Sequence, residues 1–100
     1  MIIYNVTVNI DDSVHDEWLE WMKNNFIPSL MSSQSFTENK FYQVKVNADQ
    51  SPTYTLQLYC DNIELWQAYQ ELQANDHLKE VQHAWGEKCY YFCTEMQIVN

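Results

Sequence analysis

One hundred residues, 46% hydrophobic and 15% aromatic, are enough for one core and too apolar for a disordered chain, so residues 1–100 read as a single domain. With 14 acidic against 5 basic side chains the net charge is −9, which would repel a phosphate backbone or an anionic membrane surface; nucleic acid and membrane are not expected as partners. No apolar run approaches the roughly 20 residues that span a bilayer, and Met1-Ile2-Ile3-Tyr4-Asn5 lacks the basic segment and solid apolar block of a signal peptide.

In the first strand Ile2, Tyr4, Val6, Val8 and Ile10 alternate with Ile3, Asn5, Thr7 and Asn9, the period-2 pattern of a sheet whose faces meet different surroundings. Asp12-Ser13 with Asp16 and Glu17 predicts a helix start, because side-chain oxygens and negative charge suit exposed N–H groups. Val14, Trp18, Trp21, Met22 and Phe26 follow at helical spacing, and Pro28 should kink or interrupt that helix before a short turn at Leu30-Met31. A second strand spans about Phe36 to Val46, the cluster Asn47 to Pro52 turns the chain, and a third strand covers Thr53 to Cys60. Asp61 with Glu64 resembles a capping box for a second helix with Ile63, Trp66, Tyr69 and Leu72 as its buried stripe. Asn75-Asp76 should break it, Leu78, Val81 and Ala84 continue a helical segment, Gly86 ends it, and Lys88 to Ile98 forms the last strand.

The order βαββαβ is the ferredoxin-like arrangement: α+β, a four-stranded antiparallel sheet with two helices on one face. Taking odd positions as the uncovered face gives Asn5, Thr7, Asn9, Gln43, Lys45, Thr53, Thr55, Gln57, Tyr59, Tyr91, Glu95 and Gln97. Its scarcity of charge predicts a homodimer packed through this face, with Thr7, Thr55, Gln57 and Tyr91 at the interface. The other reading is a solvated, Thr-rich sheet surface.

The segments Met1 to Val8, His15 to Met22, Ile27-Pro28 and Pro52-Thr53-Tyr54, taken together, resemble an uncharacterised bacterial family of about this length, a domain of unknown function. The resemblance spans nearly the whole chain and implies the dimeric α/β-barrel type of ferredoxin-like fold; it implies no activity. Two positions depart from the family pattern: Phe26 stands where members carry a His before Ile-Pro, and Gln34-Ser35-Phe36 replaces Gly-Cys-Phe. Both remove groups that shared catalysis could have used. The wider dimeric α/β-barrel group includes cofactor-independent monooxygenases of aromatic compounds and haem-degrading enzymes, but Gln82 falls where the haem-degrading set needs its His.

Few residues offer chemistry. Tyr4 and Tyr54 share the helix-facing parity, and reading strands one and three as parallel neighbours places them side by side. Each phenol, if buried, needs a partner: either a backbone group in a solid core or a ligand in a pocket. His15, His77 and His83 lack i, i+4 spacing, so no metal is expected. Cys60, Cys89 and Cys93 form no CxxC pair, and Cys89 and Cys93 lie roughly 13 Å apart along one strand, which suits reduced thiols in a cytoplasm. No cofactor is implied: a single Gly excludes a phosphate loop, and no nucleophile, base and acid stand at recognisable spacing. The chain therefore reads as a small cytoplasmic homodimeric domain that binds a small-molecule ligand or another partner, with Tyr4 and Tyr54 as candidate ligand-binding residues. The alternative is a cofactor-independent monooxygenase-like enzyme acting on a small aromatic compound. An enzyme would need an enclosed cavity of at least about 300 Å³ between helices and sheet, with a polar group aimed inward.

Overall fold

The computed structural model describes residues 1–45, 47 and 49–99. Strand β1 (Ile2–Ile10) leads through a 3₁₀ turn (Asp12–Val14) into α1 (His15–Trp21), a π turn (Met22–Phe26) and α2 (Ile27–Ser32). The hairpin of β2 (Glu38–Val44) and β3 (Thr53–Cys60) follows, then α3 (Ile63–Leu72), α4 (Ala74–Trp85), a 3₁₀ turn (Gly86–Lys88) and β4 (Cys89–Gln97). The sheet order is β2-β3-β1-β4 and every pairing is antiparallel. This is the expected ferredoxin-like α+β architecture, each of the two expected helices being divided into two segments.

The divisions have local causes. Pro28 has no N–H to give to the preceding turn, so the helix widens just before it and the Ile27 N–H bonds the Met22 carbonyl five residues back. The second division comes at Gln73, whose backbone leaves the helical region (φ −132°, ψ −27°), and Asn75 and Asp76 open α4 instead of ending α3. Asp11 caps the first 3₁₀ turn, accepting the Ser13 N–H at 2.9 Å, and Asn62 caps α3 by accepting the Leu65 N–H at 2.9 Å. Both caps therefore differ from the expected ones. Ile63 and Leu72, expected in the buried stripe of α3, are 47% and 72% exposed, and only Trp66 and Tyr69 of that helix are buried. Gly86 ends α4 at φ +52°, as expected. Gln34 takes the left-handed region at φ +64°, at the position where the resembled family carries Gly. Strand β2 is shorter than expected; Phe36 is buried ahead of it, and Val46 lies outside the described residues.

Register decides which side chains share a face, and here it overturns part of the odd-parity assignment. On β1 and β3 the even residues face the helices and the odd ones do not: Val6, Val8, Ile10, Tyr54, Leu56, Leu58 and Cys60 are buried. Thr7 is paired with Thr55 and Phe92, Asn9 with Tyr90, and Thr55 with Tyr42. Paired residues point to the same face, so on β2 and β4 the even residues join the open face. Thr7, Thr55 and Gln57 are on that face as expected. Tyr91 is not: it pairs with buried Val8 and packs on the core side, and Gln43, Glu95 and Gln97 move with it. The residues that replace them are Glu38, Lys40, Tyr42, Val44, Tyr90, Phe92, Thr94 and Met96, so the open face carries more large apolar side chains than the sequence suggested.

Candidate functional site

Two aromatic groups fill opposite ends of the layer between helices and sheet. Strand β3 runs antiparallel to β1, because the first crossover returns the chain in its original direction and the hairpin then reverses it. Val8, not Tyr4, is therefore opposite Tyr54, and Tyr4 lies four residues, or about 13 Å, further along. The side-by-side placement of the two tyrosines is thus corrected, and with it the idea that they share one site.

At one end, Tyr54 is buried against Trp18 and Phe41, with ring centroids 5.0 and 5.4 Å away. Its hydroxyl is hydrogen-bonded to His15 Nε2 at 2.7 Å. Burial, followed by the nearby Asp16 charge, raises the Tyr54 pKa. The phenol is satisfied inside the chain.

At the other end, Tyr4 packs against Trp66, Phe36 and Tyr69. Its hydroxyl donates to Cys93 Sγ at 3.1 Å, a thiol being a weak acceptor, and burial together with this bond raises its pKa. Beside it, between α3, α4 and edge strand β4, an open cleft of about 330 Å³ is lined by Tyr4, Trp66, Gln70, Leu78, Cys93 and Glu95 among others. Glu95 Oε1 accepts the Trp66 Nε1–H at 2.7 Å. Three polar groups, the phenol, the thiol and the carboxylate, converge on one side of the cleft, with Ala74 and Leu78 supplying apolar surface.

Tyr4 and Leu78 also line a buried cavity of about 20 Å³ further in, whose walls include Met22, Phe26, Tyr69, His77 and Tyr91. That volume holds about one water molecule. The Tyr69 hydroxyl and His77 Nδ1 are hydrogen-bonded at 2.8 Å there. Burial lowers the His77 pKa, outweighing Glu80 and Asp76, and raises that of Tyr69, so the pair is neutral at pH 7. A third hollow, of about 300 Å³ and more widely open, lies over the π turn between Glu17, Glu20, Trp21, Asn24 and Asn25.

Of the sequence-predicted residues, then, Tyr4 borders a cleft, Tyr54 belongs to a filled core, Thr7, Thr55 and Gln57 lie on the open face, and Tyr91 lines the small cavity. The partners of the phenols were not foreseen. Tyr69 and His77 are eight residues apart across a helix division, and Cys93 and Glu95 reach the cleft only through the register of β4. Among the described residues no group of three or more His, Cys, Asp or Glu side chains is placed to hold a metal ion. All three cysteines are free, Cys60 and Cys89 buried and Cys93 exposed. No helix of the described residues is long and apolar enough to cross a membrane.

Sheet order, helix placement and length define a ferredoxin-like α+β domain, and solved structures share it. A dimeric ferredoxin-like protein from an uncultured marine organism superposes with a TM-score of 0.68 at 9% identity, covering 99% of this chain and 95% of that one. An ethyl tert-butyl ether d (EthD) family protein from Bacillus halodurans C-125 does so at 0.67 and 13%, covering 97% and 100%. A protein from Deinococcus radiodurans, provisionally assigned as an antibiotic biosynthesis monooxygenase, gives 0.63 at 9%, covering 100% and 94%. At these identities the likeness is one of fold. No curated protein sequence matches the chain. The chain belongs to the family described as Domain of unknown function (DUF4286), whose model matches residues 1–99.

Proposed function

We propose that this protein is a homodimeric, single-domain small-ligand-binding module whose binding site is the cleft between β4 and helices α3 and α4. The observation that carries the reading is the convergence of the Tyr4 hydroxyl, Cys93 Sγ and the Glu95 carboxylate on a cleft of about 330 Å³. A site of that size with a few aimed polar groups and aromatic walls is the usual form of a small-molecule pocket. The enzyme reading needs an enclosed chamber of at least about 300 Å³, whereas the cavity that the described residues enclose around Tyr69 and His77 is about 20 Å³. Binding in the open cleft is therefore favoured over oxygenase chemistry in the interior. A cytoplasmic location suits the three free thiols.

The dimer is proposed to form through the open sheet face. Tyr90, Phe92, Tyr42 and Val44 are 69%, 52%, 46% and 36% exposed there, with Glu38 and Lys40 as the formal charges on the paired β2 residues. Apolar surface of this kind is characteristic of association sites. The dimeric ferredoxin-like protein of the same fold supports the reading. Light scattering should show a dimer at micromolar concentration, and Thr55→Lys/Gln57→Glu should favour monomer by burying unpaired charge. A wild-type monomer at high micromolar concentration would refute it. For the cleft, native mass spectrometry of purified protein should reveal a copurified small molecule lost in Tyr4→Phe; a ligand retained in that variant but lost in Tyr54→Phe would move the site to the other end of the sheet.

A further inference from the structure

The cleft beside β4 is electrostatically one-sided. Its formal charge is the Glu95 carboxylate, and none of the chain's basic residues, all of them lysines, is among the described residues that line it. The indole N–H of Trp66, a residue only 3% exposed, holds Oε1, and the Glu95 carboxylate makes no other hydrogen bond among the described residues. A buried, rigid donor thus fixes where the carboxylate sits and leaves Oε2 for a second donor. Beside it the rings of Tyr4 and Trp66 meet at 4.9 Å between centroids and a tilt of 51°, forming an aromatic corner with Leu78 close by.

A cation brought against Glu95 gains from the carboxylate and from the neighbouring π faces, whereas an anion meets an uncompensated negative charge on a chain already at −9. Resting on the reading of this cleft as the binding site, we propose that its ligand class is an arylalkylamine: the aromatic ring lies in the corner of Tyr4, Trp66 and Leu78, and the alkylammonium group donates to Glu95. Gln70, on the same wall, supplies a further amide. The Tyr4 hydroxyl, already donating to Cys93, keeps acceptor capacity for a second N–H.

Three indoles that differ in charge test this: tryptamine as cation, 3-methylindole as neutral ring and indole-3-acetate as anion. Each is titrated at pH 7 into the full chain, with the Trp66 indole N–H followed by NMR. Tryptamine should bind more tightly than indole-3-acetate by about tenfold or more, with 3-methylindole between them. Glu95→Gln should bring the two charged ligands to similar affinity. Glu87→Gln removes the same charge at the far end of β4 and should leave the preference in place. Equal or tighter binding of the acid, or an equal loss of preference in Glu87→Gln, would overturn the proposal. If all three bind alike with shifts confined to the cleft, the amine assignment fails and the binding site stands. If none perturbs the Trp66 N–H, both fail.

Discussion

Tyr4 and Tyr54 project from neighbouring strands toward the helical side of the sheet, yet they meet different surroundings. Tyr54 is 6% exposed in a filled aromatic group, with its hydroxyl on an imidazole. Tyr4 is half-buried at the rim of a cleft, with its hydroxyl on a thiol. The first arrangement gives the phenol a good partner inside a filled core; the second leaves a weak acceptor and a ready space beside it. A layer of one composition thus holds a structural end and a receptive end. The distinction lies in what covers each tyrosine: α1 with Trp18 closes one end, while α3 and α4 stand off from edge strand β4 at the other.

The largest expected difference between the two ends is in packing. Trp18 is fully buried, and Trp18→Ala should cost about 3–5 kcal/mol, a large share of the stability of a small domain. Trp66→Ala should cost less, since water in the adjoining cleft can enter the space vacated. Urea melts of the two variants measure this, and a greater loss at Trp66 would reverse the assignment of the structural end.

The hydroxyls give a smaller effect of the same sense. Tyr54→Phe removes a bond to His15 and should lose about 0.5–1.5 kcal/mol with no change in any ligand response. Tyr4→Phe should be nearly neutral in thermal melts while weakening ligand binding, because its present acceptor is only a thiol. Equal stability losses and unchanged ligand response for both would leave the two ends indistinguishable.

The receptive end also carries a pH effect near neutrality. Burial lowers the pKa of His77 below its ordinary value of 6.5, so in acid the unfolded chain binds more protons than the folded one. The stabilisation from neutral His77 is complete above about pH 6.5 and declines as pH falls through that value toward the folded-state pKa. His77→Gln should flatten the melting temperature across this window, as followed by circular dichroism. A wild-type profile no steeper than the variant's would count against the buried, neutral pair.

The smallest signal is chemical. Cys93 is exposed, whereas Cys60 and Cys89 are buried, and burial pushes the Cys89 thiol up to about 11. Iodoacetamide should therefore modify Cys93 first in the native protein. The Tyr4 hydroxyl bond offsets part of the rise that desolvation imposes on the Cys93 pKa, so Tyr4→Phe should slow the reaction at fixed pH. Peptide mapping gives the order of modification; an unchanged rate in the variant would show that the bond does not govern the thiol.

Much of this was legible from residue pattern. Alternation in β1 and in Thr53 to Cys60 is clear, with apolar or aromatic residues on one parity and, apart from Ile3 and Tyr59, Asn, Thr or Gln on the other, so those strands carried their own orientation. Spacing of Trp18, Met22 and Phe26 located the first helical face, and Pro28 located its irregularity. In β4 the pattern is ambiguous, because Tyr90, Phe92 and Met96 are as apolar as Cys89, Tyr91 and Cys93. Nothing local to that strand says which set faces the helices. Pairing with β1 decides it, since Asn9 opposite Tyr90 and Val8 opposite Tyr91 fix the parity through hydrogen bonds made to another part of the chain. The same long-range pairing carries Cys93 and Glu95 to Tyr4 and Trp66. Sequence by itself thus determined the elements, their order and two of the four strand orientations, because those depend on local periodicity. Tertiary structure alone decided the cleft and the true open face, because both depend on the register between strands far apart in the chain.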